Sequence, residues 1–225
     1  MTWGELLKQG QERLKKAGIQ EYELDAWYLF EQAFSMSRAR YFLDAKEEAS
    51  PEDEALKAYE DSLERRSGRV PLQHILGTQE FMGMEFFVNA HVLIPRQDTE
   101  TLVETVLNEQ KNRNISVLDM CTGSGCIAVS LKALGGYARV AAADISPEAL
   151  ETAEKNAGTL LGADTAGAAE SAPMENGAPG ERPHPVEFRQ SDMFAAFEPG
   201  RDVFDVIVSN PPWFKKSPHY SARIL

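Results

Sequence analysis

Apolar residues recur at helical spacing through the first third of the chain and gather into short unbroken runs beyond it. Thr2-Trp3-Gly4-Glu5 has the form of a capping box, in which a threonine oxygen and a glutamate three residues later satisfy each other's backbone N–H. Leu6, Leu7, Leu14 and Ala17 fall on one face of the helix it opens, and Gly18 is placed to end it. Tyr22, Ala26, Leu29, Phe30 and Ala33 make a second stripe. Ser50-Pro51 reads as the cap and first-turn proline of a third long helix, carrying Leu56, Tyr59 and Leu63 to Gly68. The aromatic stripe of Trp27, Tyr28, Phe30 and Phe34 suits a core better than a ligand box. These patterns predict a small helical bundle over residues 1–76. Arg65, Arg66 and Arg69 read as a solvated helix end beside its own dipole, and His74 as a packing or capping residue.

Residues 79–81 and 84–88 flank Gly83 and predict a hairpin, inside a connecting segment over 77–97. A helix carrying Leu102, Val103, Val106 and Leu107 follows. From there the period changes. The run 115–119 reads as a short buried strand, 138–143, 186–189 and 204–209 as further strands, and 126–131 and 147–161 as helices between them. Strands alternating with helices predict an α/β domain with a parallel sheet over 98–225. Residues 162–185 break the pattern with glycine, alanine and proline and few large apolar side chains. They are expected to form a mobile surface insertion without chemistry of their own.

The candidate chemistry sits at strand ends. The run 115–119 leads into Met120-Cys121-Thr122-Gly123-Ser124-Gly125, where the glycines allow tight backbone turns and the close approach of a ligand to the start of the next helix. The second strand ends in Asp144, about 20 residues past the glycines, where a carboxylate is placed to hold a ribose diol. The fourth ends in Asn210-Pro211-Pro212-Trp213. An amide or amino nitrogen with a delocalised lone pair is a poor nucleophile, and methyl transfer to it needs acceptors that hold its hydrogens. The Asn210 side-chain oxygen and the Pro211 carbonyl supply two. The prolines add no competing N–H and fix φ, so both acceptors are set in advance. Trp213 is placed to stack on a planar group beside a cationic sulfonium. A strand closed by a proline-stopped turn would look the same. Gly123 to Ala128 also fits a dinucleotide fingerprint, so the loop leaves a nicotinamide-dependent oxidoreductase open, and only Asn-Pro-Pro separates the two.

Composition narrows the field. The 225 residues include 43% hydrophobic side chains, enough for a sizeable core, and carry a net charge of −12, which argues against a surface built to hold a nucleic-acid backbone. No stretch approaches the ~18 apolar residues of a membrane span, and the charged first 20 residues do not read as a signal peptide. Cys121 and Cys126 lack zinc-site spacing and histidine partners, so no metal is expected, and the chain reads as reduced and cytoplasmic.

Residues 119–125, Ala143-Asp144-Ile145-Ser146, Ser191-Asp192 and 210–213 together resemble, in order, the motifs of class I methyltransferases that use S-adenosylmethionine. Arg65-Arg66-x-Gly68-x-x-Pro71, Gly77-x-x-Glu80-Phe81-x-Gly83 and Leu93-Ile94-Pro95-Arg96-Gln97-Asp98-Thr99-Glu100 narrow the resemblance to the PrmC/HemK family. It implies a Rossmann-like domain behind a helical bundle that docks peptide chain release factors. The implied reaction methylates the side-chain nitrogen of the glutamine in their Gly-Gly-Gln loop. It further implies a donor site of Asp119, Cys121, Thr122, Gly123, Ser124, Gly125, Asp144 and Asn210, with Asp192 at the adenine amino group and Met193 on its ring. Asn210, Pro211, Pro212 and Trp213 would form the catalytic corner, with residues 94–100 helping to wall the pocket.

Two departures stand against that resemblance. Relatives usually carry tyrosine where Trp213 stands. The sequence also ends 12 residues after Trp213, where such a sheet would need further strands, so the chain as given is expected to be inactive or nearly so. A nucleic-acid amino methyltransferase, acting on adenine or guanine, shares the Asn-Pro-Pro-aromatic logic, and a fragment that only binds a release factor is the non-enzymatic alternative.

Overall fold

The structure is a computed structural model that describes residues 1–162 and 185–211. The expected insertion lies outside the described residues except at its two ends, as do Pro212, Trp213 and the residues after them. The chain divides into two compact units, Met1–Thr78 and Gln79–Leu225.

The first unit is a bundle of α1 (Trp3–Lys16), α2 (Tyr22–Phe34), α3 (Arg38–Asp44), α4 (Asp53–Ser67) and α5 (Leu72–Leu76). The capping box forms as the sequence predicts, with Thr2 N–H donating to Glu5 at 2.8 Å and Glu5 N–H to the Thr2 hydroxyl at 3.2 Å. Leu14, Leu29, Phe30 and Tyr59 are fully buried among edge-to-face rings. The bundle core is therefore the aromatic stripe, apart from Tyr28, which is 40% exposed.

One expectation for this unit fails and another holds only in part. α4 does not begin at Ser50-Pro51. Its cap position is Glu52, without a side-chain capping bond. The cause is tertiary: Ala49 N–H donates to the Met1 carbonyl and Thr2 bridges Glu48 in antiparallel fashion, which holds the chain extended up to the proline. The arginines are a solvated helix end only in part, since Arg65 and Arg69 are exposed and Arg66 is not. Arg66 Nε meets the buried Asp25 carboxylate at 2.6 Å, Arg69 donates to the Ala17 carbonyl and Arg65 to the His74 carbonyl. These cations tie helix ends together within the bundle, because long side chains reach carbonyls and a carboxylate that helical periodicity leaves invisible.

The second unit opens with a hairpin of β1 (Thr78–Phe81) and β2 (Met84–Phe87). There follow α6 (Gln97–Glu109), β3 (Ser116–Met120), α7 (Cys126–Gly135), β4 (Arg139–Asp144), α8 (Pro147–Leu161), β5 (Glu187–Gln190) and β6 (Val206–Ser209). The four strands β3 to β6 form one parallel sheet in the order β5-β4-β3-β6. Parallel strands buried on both faces read as continuous apolar runs; β4 does so through residues 140–143, whereas β5, at one end of the strand order, is partly exposed and carries Glu187 and Arg189. Alternation sorts the faces: Val117, Val140, Ala142 and Val208 pack with helical residues such as Ile127, Leu131 and Ala157, whereas Leu118, Met120, Ala141 and Ala143 meet Phe197 and Phe204. Chain order reverses between β3 and β6, and such a reversal opens a crevice at the carboxyl ends of the strands. Among the described residues β6 pairs with β3 alone, and Ile207 on it is 51% exposed.

Candidate functional site

Register places the two sequence motifs side by side. Met120 and Ser209 are partners in the β3–β6 ladder, and the Ser209 hydroxyl donates to the Met120 carbonyl at 2.7 Å. The residues that follow, Cys121 and Asn210, therefore leave the sheet together at the crevice. On the other flank Met120 pairs with Ala143, and Thr122 N–H donates to the Ala143 carbonyl at 3.0 Å. Asp144 is thereby set beside the glycine loop.

The loop itself is tightly specified. Cys121, Gly123 and Gly125 have φ of 62°, 56° and 79°, left-handed conformations that cost a side-chain-bearing residue free energy, so Cys121 is a point of backbone strain. A Cβ on Gly123 would meet nothing within 4 Å, whereas one on Gly125 would lie 2.9 Å from the Ala153 Cβ. The first glycine thus faces open space and the second faces α8. Asp119 fastens the loop from beneath. Its Oδ2 accepts from the Thr122 hydroxyl at 2.6 Å and from Ala128 N–H at 3.2 Å, so a strand carboxylate caps the otherwise unpaired first turn of α7. Burial pushes its carboxyl up to about 7, the two hydrogen bonds opposing and the nearby Asp144 adding to the rise. Asp119 is wholly buried and its Oδ1 has no hydrogen-bond partner among the described residues.

Asp144 is half-buried at the mouth. Its Oδ2 accepts from Gly123 N–H at 2.9 Å and its Oδ1 from Ser146 N–H at 3.0 Å, which fixes the carboxylate while leaving each oxygen a second lone pair. Asn210 is fixed from α6. Its Nδ2 donates to Oγ1 of the buried Thr99 at 2.9 Å, and among the described residues its Oδ1 takes no hydrogen bond. Thr99, Cys121, Gly123 and Asn210 line one cavity together with Leu93 and Ile94. The segment 94–100 therefore does wall this pocket.

Of the residues proposed from sequence, Cys121, Thr122, Gly123, Ser124 and Asn210 line this one cavity, Asp144 is tied to its edge through Gly123 N–H, and Asp119 is buried beneath the loop. Asp192 and Met193 are exposed just after Ser191, whose N–H donates to the Asp144 carbonyl. Pro211 is exposed. Sequence pattern does not single out Thr99 within the segment 94–100, nor Asn156 within its helix, since neither carries a local signal for a partner far along the chain. Among the described residues no three His, Cys, Asp or Glu side chains gather where they could hold a metal, and no helix is long and apolar enough to cross a membrane.

Comparison with known proteins bears on both units. Residues 5–77 match the PrmC N-terminal domain model, and residues 97–166 match the model of ribosomal protein L11 methyltransferase, PrmA. The release factor glutamine methyltransferase of Deinococcus radiodurans is 37% identical over 214 residues, covering 95% of this chain and 67% of that protein. That of Koribacter versatilis is 38% identical over 215 residues, covering 95% and 68%. The chain belongs to the release factor glutamine methyltransferase family. It spans about two thirds of the length of these curated relatives. Membership makes the parallel sheet of the second unit a Rossmann-like methyltransferase fold, and its strand order is that of one half of a doubly wound sheet plus the strand across the switch point. A solved ribosomal protein L11 methylase from Lactobacillus delbrueckii subsp. bulgaricus is 24% identical with a TM-score of 0.38, covering 52% of this chain and 47% of that one, too loose a likeness to add to this.

Proposed function

We propose that this chain takes part in methyl transfer from S-adenosylmethionine to the side-chain amide nitrogen of a release-factor glutamine, the one in the Gly-Gly-Gln motif. The observation that carries the reading is the Asn210 amide, held by Thr99 with its oxygen unbonded among the described residues, at the strand end beside the glycine loop. The residues present suit the donor. The open space in front of Gly123 accommodates close backbone approach, and the spare lone pairs of Asp144 suit a vicinal diol. When bound, S-adenosylmethionine supplies an electrophilic methyl carbon on a sulfonium sulfur.

The chain's own part is to hold the nitrogen that is methylated. Asn210 Oδ1 accepts one amide N–H and the Pro211 carbonyl the other, and both bonds strengthen as positive charge develops on that nitrogen, which favours the transition state over the ground state. Neither acceptor has to reorganise at that moment, because Thr99 and the proline ring fix them beforehand. Pro212 and Trp213 complete the corner in this reading, with Asp192 and Met193 on the adenine side. The helical bundle is assigned to docking the release factor.

The test is incubation with labelled S-adenosylmethionine and a release factor, with and without its Gly-Gly-Gln glutamine, using both the 225-residue chain and one completed to the length of its relatives. Label that appears on the release factor and disappears with the glutamine supports the reading. Label that moves instead to an added nucleic acid refutes it in favour of a base amino methyltransferase.

A further inference from the structure

We infer that Asn156, on α8, is a positioning residue for the donor loop, held to the hairpin strand by the same amide that holds the loop. This rests on the donor reading above. Asn156 is 2% exposed and lies outside every motif by which the sequence was read. Its Nδ2 donates to the Ser124 carbonyl at 2.9 Å and to the Phe87 carbonyl at 2.9 Å, while its Oδ1 accepts from Phe87 N–H at 2.7 Å. Both amide hydrogens and the oxygen are thus used, and a flipped amide would set its oxygen against two carbonyls, so the orientation is fixed by its partners. One side chain closes the backbone of β2 at Phe87 and the backbone of the loop at Ser124.

The second contact comes from one turn earlier on the same helix face. Ala153 lies against Gly125 so closely that a Cβ there would be 2.9 Å from its own Cβ and 3.1 Å from its Cα. Residues three apart on a helix share a face, so α8 braces the loop with a methyl group at Gly125 and a donor at Ser124. With the Ser124 carbonyl drawn inward, the peptide that joins Ser124 to Gly125 is pinned. Gly123 is held outward by its own N–H bond to Asp144. A loop that must hold Cys121 in a strained left-handed conformation needs such over-determination to persist. Removing the Asn156 amide therefore loosens the donor site from behind, through the Ser124 backbone and not through a group of its own that would contact the donor.

Two readouts on the folded protein test this. Amide hydrogen exchange reports loop opening directly, and calorimetry with S-adenosylhomocysteine, the demethylated donor, reports its consequence. In Asn156→Ala the Gly123 and Gly125 amides should exchange at least about tenfold faster and the Kd for S-adenosylhomocysteine should rise about tenfold, the scale of one lost buried hydrogen bond. Tyr137→Phe is the control. It removes a buried hydroxyl that donates to the Val106 and Gln110 carbonyls away from the loop, and it should change neither quantity. Where Asn156→Ala does not fold, Asn156→Asp keeps the acceptor for Phe87 N–H and replaces the donating nitrogen, and the same shifts apply. Loop amides that exchange at the wild-type rate overturn the inference, as does faster exchange with an unchanged Kd. A wild-type chain that does not bind S-adenosylhomocysteine refutes the donor reading instead, while exchange still decides whether Asn156 holds the loop.

Discussion

The Asn210 side-chain amide donates to the Thr99 hydroxyl oxygen at 2.9 Å, across 111 residues of sequence. Thr99 sits in the first turn of α6, buried, while Asn210 is the first residue past β6. A carboxamide with its nitrogen engaged in this way turns its oxygen to the other side, so a helix that makes no other appeal to chemistry decides what the strand end presents.

Thr99→Val removes that partner while keeping shape and β-branching. Turnover of the chain extended to the length of its relatives should fall about tenfold through loss of one hydrogen bond's worth of preorganisation, with the Kd for S-adenosylhomocysteine unchanged. Thr99→Ser should restore it. A fall in donor affinity equal to the fall in rate would assign Thr99 to the donor instead.

Asn210→Ala removes the acceptor itself. Methyl transfer by the chain extended to the length of its relatives, followed with labelled donor, should drop by about 10²- to 10³-fold, the range seen on deleting one preorganised polar group from an active site. Near-full turnover in this variant would end the assignment.

Asp119 gives the fold a pH dependence of unusual sign for a carboxylate. Burial raises its carboxyl to about 7, with the bonds from Thr122 and Ala128 opposing, against about 3.9 in an unfolded chain. The native state therefore binds this proton more tightly than the unfolded state. The contribution to stability is complete below about pH 4 and is lost as pH rises through about 7. Asp119→Asn abolishes the titration, so denaturant unfolding should show the variant gaining a few kcal/mol relative to wild type between about pH 4 and pH 8. A difference independent of pH over that window would contradict the burial argument.

The bundle has its own test. Asp25 is 4% exposed and pairs with Arg66 at 2.6 Å. Removing one partner of a buried ion pair leaves the other uncompensated, which costs about 3–5 kcal/mol. Asp25→Ala should lower the unfolding free energy by that order, whereas Asp25→Ala combined with Arg66→Met should recover part of it. A double variant no more stable than the single would show that the Arg66 bond to the Val70 carbonyl, rather than the ion pair, carries the effect.

The α/β unit was legible because parallel strands buried on both faces spell themselves as apolar runs, and because the glycines at 123 and 125 sit where only a strand-to-helix turn needs them. The bundle was legible from stripes such as Leu6, Leu7 and Leu14. The hidden features are all bonds between residues far apart in sequence. The start of α4 depends on the pairing of residue 49 with Met1, and the arginines at the end of α4 depend on Asp25 and Ala17. Asp119 stood in the motif as a candidate ligand, but alternation along β3 turns its side chain inward to α7. Asn156 carries no signal of its own within its helix, because periodicity shows which face is buried and not which backbone that face will meet.

A structure of the chain bound to S-adenosylmethionine tests the central claim most directly. The account predicts the adenosyl ribose on the Asp144 carboxylate, the backbone of Gly123 against the donor, and the transferable methyl carbon facing the space between Asn210 Oδ1 and the Pro211 carbonyl. A donor bound elsewhere, or one whose methyl carbon points away from Asn210, would contradict it.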